Sequence, residues 1–586
     1  MSLFFKERFR LSGVAALSHV RVLPNFYDLI AFLLILGSIV LLAYGAEAMR
    51  APLDQLARNP IELDPAHLPE YALRTTIRMF AAMVISLIFT FIVATLAAKS
   101  RRAEMIIIPA LDILQSVPVL GFLTFTVTFF IGLFPGRQLG AECASIFAIF
   151  TSQAWNMAFS FYQSLKTVPR DLDEVARAYN LSPWQRFWRL EAPFAAPGLI
   201  WNMMMSMSGG WFFVVASEAI TVGHTKIDLP GIGSWLAVAI DQRNFSAVAW
   251  AVLAMAIVIA LYDQMLFRPI VAWADRFRAE QVASQQRPQS WVYEMVRRTR
   301  LLKIVTATFA WSWQHVLLIR LGKGEAPAAQ SEGSAPRNSR LLDGAWLAII
   351  IGLAGLGAVL VVNYLRATLG INDLVTAFGG GLATLSRVIV LIAIASLVWV
   401  PIGVWIGLRP RIAERVQPVA QFLAAFPANV LFPIAVLAIV ASGANPNIWL
   451  SPLMVLGTQW YILFNVIAGA SAIPTDLREA AAVYQIRSWT WWRYVALPAV
   501  FPYYVTGALT ASGGSWNASI VAEVASWGDA KLEAFGLGSY IANATAADDF
   551  PRVVLGIAVM SIFVTFFNRA VWRPLYSIAE RRLRLN

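Results

Sequence analysis

Apolar runs recur along this chain, most of them reaching the roughly 20 residues that cross the ~30 Å hydrocarbon core of a bilayer as a helix. The clearest are "YDLIAFLLILGSIVLLAYG" (27–45), "MFAAMVISLIFTFIVATLAA" (79–98), "AWLAIIIGLAGLGAVLVV" (345–362), "VIVLIAIASLVWVPIGVWIG" (388–407) and "VVLGIAVMSIFVTFF" (553–567). Lipid offers no partners to backbone N–H and C=O groups, so runs of this length must be helical. Of the 586 residues 58% are hydrophobic and 14% charged, where a soluble domain carries about 25% charged. The fold class expected is therefore an all-α polytopic membrane protein.

The runs give about 12 transmembrane helices, near 27–45, 76–98, 105–134, 141–161, 194–221 and 246–267, then 343–362, 382–407, 415–441, 448–470, 499–526 and 553–572. Basic clusters "KSRR" (99–102), "RPRIAER" (409–415) and "AERRLRLN" follow even-numbered spans, while the loop "LDQLARNPIELDPAHLPEY" is mixed to acidic. The positive-inside rule then places both termini in the cytoplasm. It also accounts for the net charge of +12 without nucleic acid, for which no basic and aromatic stripe on a soluble domain is present. The single Cys143 excludes an internal disulfide and a multi-cysteine metal site. The four histidines His19, His67, His224 and His315 are dispersed in sequence, with no HExxH pattern.

The two sets of six spans repeat one another. "DLDEVARAYNLSPWQRFWRLEAP" (171–193) aligns without a gap to "DLREAAAVYQIRSWTWWRYVALP" (476–498). The step of 305 pairs Asp171 with Asp476, Leu172 with Leu477, Glu174 with Glu479, Ala176 with Ala481, Tyr179 with Tyr484, Trp184 with Trp489 and Pro193 with Pro498. It also carries Trp155 onto Trp460, Trp211 onto Trp516, Glu218 onto Glu523, and Gly231 and Gly233 onto Gly536 and Gly538. Upstream the step is 309, pairing Arg78 with Arg387 and Pro118 with Pro427. Two halves in the same orientation make a parallel repeat about an axis along the membrane normal.

The expected organisation is a cytoplasmic amphipathic tail (1–26), a first membrane domain (27–275), an intervening cytoplasmic region (276–342) and a second membrane domain (343–586). Within the intervening region "LLKIVTATFAWSWQHVLLIRL" (301–321) reads as an interfacial helix. Counting it as a span would put the two repeated polar segments on opposite sides of the membrane, and Lys303 and His315 are costly in lipid. The small, polar "GKGEAPAAQSEGSAPRNSR" (322–340) reads as a flexible linker.

Both polar segments follow the fourth span of their half and so face the cytoplasm. Pro169 suits the first turn of a helix whose Asp171, Asp173 and Glu174 complement its N-terminal dipole. Asn180 tolerates the left-handed conformation that ends it. Ser182, Pro183 and Gln185 form a capping box for a second helix, which Pro193 is expected to stop. In the second copy the turn is "QIRS", a weaker terminator. A matched helix–turn–helix kept across two otherwise divergent halves points to docking on a partner.

Polar residues inside the spans are the other candidates. Glu218 and Glu523, at the outer ends of the fifth spans, read as structural hydrogen-bonding groups or as functional carboxylates. Arg78 and Arg387, about a turn inside the second spans, read as residues reaching the headgroups or attracting an anion. Trp155 and Trp460, beside Gln153, Asn156 and Gln459, fall mid-span and read as packing or ligand contacts.

The doubled segment resembles the E-A-A signature of ABC-importer permeases, through "REAAAVYQIRSWTWWRYVALP" and "DEVARAYNLSPWQRFWRLEAP". The surroundings are similar to the nitrate/sulfonate/taurine branch. They include Val168-Pro169 and Ile473-Pro474 before the signature, "FPANVLFPIAVL" in the third span of half two, and the "W…AE" runs "WNASIVAEV" and "WFFVVASEA". The resemblance covers roughly 73–275 and 382–580, and the usual turn glycine is replaced by Asn180 and Gln485.

The resemblance implies a type I importer-like fold with two fused permease domains in the bacterial inner membrane. Its coupling loops are 166–193 and 472–498. Asp171, Leu172, Glu174, Ala176, Tyr179 and Asn180, with Asp476, Leu477, Glu479, Ala481, Tyr484 and Gln485, would meet the ATPases. Arg78, Trp155, Trp211, Glu218, Arg387, Trp460, Trp516 and Glu523 would be the candidates for the translocation pathway.

The implied partners are two ATP-binding subunits, a periplasmic or lipid-anchored solute-binding protein and membrane lipid. The solute would be a small anion such as nitrate, a sulfonate or bicarbonate. No G-x-x-x-x-G-K-[S/T] loop occurs, so no cofactor is expected on this chain, and ATP and magnesium would reside on the partner subunits. "MSGGW" and "ASGGS" lie inside spans and read as small residues for close helix packing. A secondary transporter of the major-facilitator type is the alternative, but "AKSRRAEM" (98–105) matches its signature loop only in being basic.

Overall fold

The computed structural model describes residues 25–49, 60–116, 123–222, 225–274, 290–300, 314–319 and 337–582, with the isolated residues 52, 277 and 312. The expected N-terminal tail, Pro118, most of the helix at 301–321 and the linker up to 336 lie outside the described residues. Among the described residues eight helices are long and apolar enough to cross a membrane, or ten if each bent pair is one span. The two remaining expected spans fall on the helices Arg101–Ser116 and Leu123–Leu133, and on Leu139–Lys166.

The first helix of each half is Phe26–Ala48 and Arg337–Thr368, and most of its described side chains between 29 and 47 and between 344 and 368 are apolar and exposed, as on a lipid-facing helix. The second helices, Leu68–Lys99 and Ile371–Gly407, are the long central members. In half two Gly403 and Gly407 lie against Val466 and Ile467, and a Cβ on Gly407 would stand 2.6 Å from the Ile467 carbonyl oxygen. Close helix contact through small residues replaces the hydrophobic drive that lipid does not supply. The "SGG" stretches serve the same end: a Cβ on Gly210 would meet Gln153 at 2.6 Å, and one on Gly514 would meet Thr458 at 2.6 Å.

The third and fourth spans of half two are not single helices. Helix Pro410–Ala425 ends at Phe426, which is extended (φ −70°, ψ 124°) before Pro427, and a 3-10 turn Ala428–Leu431 leads into Phe432–Ser442. Proline disfavours the helical conformation of the residue before it, which accounts for the break. The fourth span is broken into Pro446–Trp449, Leu453–Leu456 and Gln459–Ser471, with a 44° bend. Its counterpart Leu139–Lys166 is continuous, because Phe147 and Ser152 occupy the positions of Pro452 and Gly457.

The fifth helices end earlier than the apolar runs imply. They stop at Glu218 and Ala522, and the chain turns into two antiparallel hairpins, Ala219–Val222 with Thr225–Asp228 and Val524–Trp527 with Ala530–Glu533. Short helices Ile232–Asp241 and Leu537–Ala546 follow, then the sixth helices. The second hairpin contacts the other half: the Gly528 N–H donates to the Ile240 carbonyl at 3.0 Å, Arg243 pairs with Asp529, and Phe245 packs edge-on to Trp527.

The chain divides into two compact units, whose described residues fall within 1–44, 160–201 and 261–334, and within 45–159, 202–260 and 335–586. In the first, Asn25 and Asp28 at the start of the first helix bind the backbone of Arg298 and Arg300. Ser290 caps the short helix Trp291–Arg298. The second unit holds both hairpins and all of half two.

Candidate functional site: two repeated polar loops and two helix-end polar clusters

The polar segments fold as helix, turn and helix in both copies. The first helices are Arg170–Ala178 and Thr475–Val483, and Pro169 and Pro474 stand just ahead of them as N-cap residues instead of inside the first turn. Both end in the same left-handed turn. Asn180 has φ 49° and Gln485 φ 53°, with Leu181 N–H donating to the Ala176 carbonyl at 3.1 Å and Ile486 N–H to the Ala481 carbonyl at 2.9 Å. This six-to-one bond, with an apolar residue after the turn, is the Schellman closure. "QIRS" thus terminates the helix as fully as "NLSP" does.

Ser182 caps the distal helix through a capping box with Gln185 (3.3 and 3.2 Å), whereas Arg487 provides no side-chain cap. Contrary to expectation, Pro193 and Pro498 do not stop these helices, which run on as Pro183–Glu218 and Ser488–Ala522. A π-turn precedes each proline, Phe187–Glu191 and Trp492–Ala496. Its wider winding accommodates the ring that would otherwise clash with the preceding turn.

Exposure along the first helices matches between halves. Glu174 and Glu479 are exposed, as are Asp171, Asp476, Asn180 and Gln485. Tyr179 is 71% and Tyr484 79% exposed. Leu172 and Leu477 are half-buried, and Ala176 and Ala481 are buried against the protein's own body. Each helix therefore keeps one alanine and one leucine toward the protein and turns a glutamate and a tyrosine outward. The copies differ in their ion pairs. Asp173 binds Arg177 (2.9 Å) and Arg186 (2.6 Å), and Arg186 binds Glu191 (2.9 Å). The matching positions in half two are Arg478, Ala482, Trp491 and Ala496.

At the far end of the fifth helices the structure joins residues that the sequence scatters. Arg78 is fully buried, and its guanidinium donates to Glu218 at 2.7 Å and to Glu142 at 2.5 and 2.7 Å. Glu218 also accepts from the Thr75 hydroxyl (2.7 Å) and the Gly233 N–H (2.6 Å), while Ile232 N–H donates to Thr75 (3.0 Å). The carboxylate thus sits on the N-terminus of helix Ile232–Asp241, where the helix dipole favours it.

Half two repeats the arrangement. Arg387 donates to Glu523 (2.9 Å), which accepts from Thr384 (2.8 Å) and Ser539 N–H (3.1 Å), and Leu537 N–H donates to Thr384 (2.9 Å). Asn447 stands where Glu142 stands and accepts from Arg387 at 3.3 Å. The repeated glycines are explained here: a Cβ on Gly231 or Gly536 would lie 2.3 or 2.2 Å from the Glu218 or Glu523 carboxylate.

Thr75, Thr384, Glu142 and Asn447 were not singled out from sequence, although the steps of 309 and 305 pair them. Of the other pathway candidates Trp211 and Trp516 are buried, whereas Trp155, in contact with Phe89 and Phe150, and Trp460, lying on Trp399, are half-buried.

Comparison with known proteins bears on these features. The bicarbonate transport system permease protein CmpB of Synechococcus elongatus is 28% identical over 190 residues, covering 32% of this chain and 65% of that protein. The nitrate import permease protein NrtB of Synechocystis sp. is 25% identical over 189 residues, with 32% and 65% covered. The glycine betaine/carnitine transport permease protein GbuB of Listeria monocytogenes is 26% identical over 170 residues, with 29% and 54% covered. The chain thus spans just under two thirds of the length of the first of these relatives. The family model of the binding-protein-dependent transport system inner membrane component matches twice, over 72–266 and 399–584, which together exceed half of the chain. The two matches coincide with the two copies of the repeat, and the chain belongs to that family.

Proposed function

We propose that this chain is the fused, two-domain permease of an ATP-driven importer in the bacterial inner membrane. Its two permease domains (27–275 and 343–586) are joined by the cytoplasmic region 276–342 and enclose one pathway, with both termini in the cytoplasm as the basic loops direct. The observation that carries the reading is the doubled helix–turn–helix. Two short helices, closed by the same turn, hold Glu174 and Tyr179, and Glu479 and Tyr484, out to solvent in matching positions.

A short capped helix transmits force without bending, which suits a handle gripped by separate ATP-binding subunits. Asp171, Leu172, Asn180, Asp476, Leu477 and Gln485 complete the contact, while Ala176 and Ala481 seat each helix on its own domain. A solute-binding protein delivers the solute. The relatives named for bicarbonate and nitrate support a small oxyanion, and the one named for glycine betaine/carnitine supports a small zwitterion.

Arg78 and Arg387 are structural in this reading. Each is committed to a carboxylate of its own half, and each cluster fastens a fifth helix to the hairpin and short helix beyond it. Trp155 and Trp460, half-buried at mid-span, are the candidates left to line the route.

The test is the double substitution Glu174→Lys and Glu479→Lys, assayed with the ATP-binding subunits in proteoliposomes. Solute-stimulated ATP hydrolysis falls more than tenfold while the chain's own thermal stability holds. Unchanged stimulation would remove the docking role.

A further inference from the structure

The distal helices of the two coupling loops occupy equivalent positions but are covered differently. In half one the Trp184 indole N–H donates to the Val316 carbonyl at 3.0 Å and the Gln185 amide to the Leu318 carbonyl at 3.3 Å. Residues 314–319 thus lie over this face, and Arg186 is neutralised by Asp173 and Glu191. In half two the same face reads "SWTWWRYVA" (488–496). Trp489 is 71% and Tyr494 65% exposed, and the Arg493 guanidinium lies 5.6 Å from the Tyr494 ring centre. No ion pair to Arg487 or Arg493 occurs among the described residues, and the sequence has no acidic residue between Glu479 and Glu523.

This helix is continuous with a membrane span. Ser488–Ala522 is 35 residues long, about 52 Å at 1.5 Å per residue, against a hydrocarbon core of ~30 Å. Its far end meets Glu523 and a hairpin, whose polar backbone belongs at an interface and not in hydrocarbon. The surplus length therefore projects at the Ser488 end and carries Trp489, Trp491, Trp492 and Tyr494 to headgroup depth. Tryptophan and tyrosine favour that depth, and unpaired arginines there attract anionic headgroups.

We propose that residues 488–496 form a binding surface for anionic lipid headgroups, so that the second coupling loop is anchored by lipid where the first is anchored by the chain's own segment 314–319. The two handles then differ in stiffness, and only the second responds to membrane charge.

The test uses the full chain in nanodiscs on a Cys143→Ser background. An environment-sensitive fluorophore is attached at Trp489→Cys, or at Tyr179→Cys as the solvent control. Lipids nitroxide-labelled near the headgroup should quench the label at 489 and leave that at 179 to aqueous iodide. Labelled phosphatidylglycerol should quench more than labelled phosphatidylcholine at equal mole fraction, and this preference should fall by up to about fivefold with each of Arg487→Gln and Arg493→Gln. Equal iodide access at the two positions, or no preference between the two lipids, would overturn the proposal. Shielding of position 489 that arises only on adding ATP-binding subunits would overturn it as well and assign the face to them.

Discussion

Arg78 and Glu218 lie 140 positions apart and meet with no exposure to solvent, guanidinium to carboxylate at 2.7 Å. The pair ties the second helix of half one to the end of the fifth. Arg78→Gln would leave Glu218 and Glu142 facing each other without a cation, and breaking a buried pair from one side costs about 3–5 kcal/mol. The expected result is a large drop in the melting temperature of the detergent-purified chain. Arg387→Gln should cost less, since Arg387 is 12% exposed and faces Asn447 in place of a second acid. Combining Arg78→Gln with Glu142→Gln and Glu218→Gln should recover part of the loss.

The glycines that cradle these carboxylates give a steric test. Gly231→Ala and Gly536→Ala each place a methyl group against a glutamate held on several sides, so both should lower stability by about 1–3 kcal/mol, as overpacking does. Gly513→Ala, with nothing within 4 Å of the added carbon, is the matched control and should be silent in the same thermal assay.

The loop turns allow a gain instead of a loss. Gln485 is held at φ 53°, where a side chain costs about 1–2 kcal/mol and glycine costs little. Gln485→Gly should slow hydrogen exchange in 475–486. Asn180→Gly should do less, because asparagine already tolerates this conformation.

The topology has its own check. A cysteine placed at residue 330, on a Cys143→Ser background, should react with an impermeant maleimide in inverted vesicles and stay unlabelled in right-side-out ones. Labelling of intact spheroplasts would place the linker, and with it the proposed handles, on the wrong side.

The repeat made much of this architecture legible. Pairing Asp171 with Asp476 and Glu218 with Glu523 showed two parallel halves, and the capping signals at Ser182, Pro183 and Gln185 showed the helix–turn–helix. What escaped was local geometry set by neighbours. The hairpins after Glu218 and Glu523 were hidden because their residues extend an apolar run. The breaks at Pro427 and within 446–459 were hidden because hydropathy does not register a bend.

Sequence alone determined the fold class, the doubling and the repeated polar helix–turn–helix, because hydropathy, periodicity and capping act over a few neighbouring residues. Tertiary structure alone decided which charges meet. Whether Arg78 reaches headgroups, solute or carboxylate depends on where Glu142 and Glu218 arrive from other helices, and the favourable burial of a charge rests on that long-range partner.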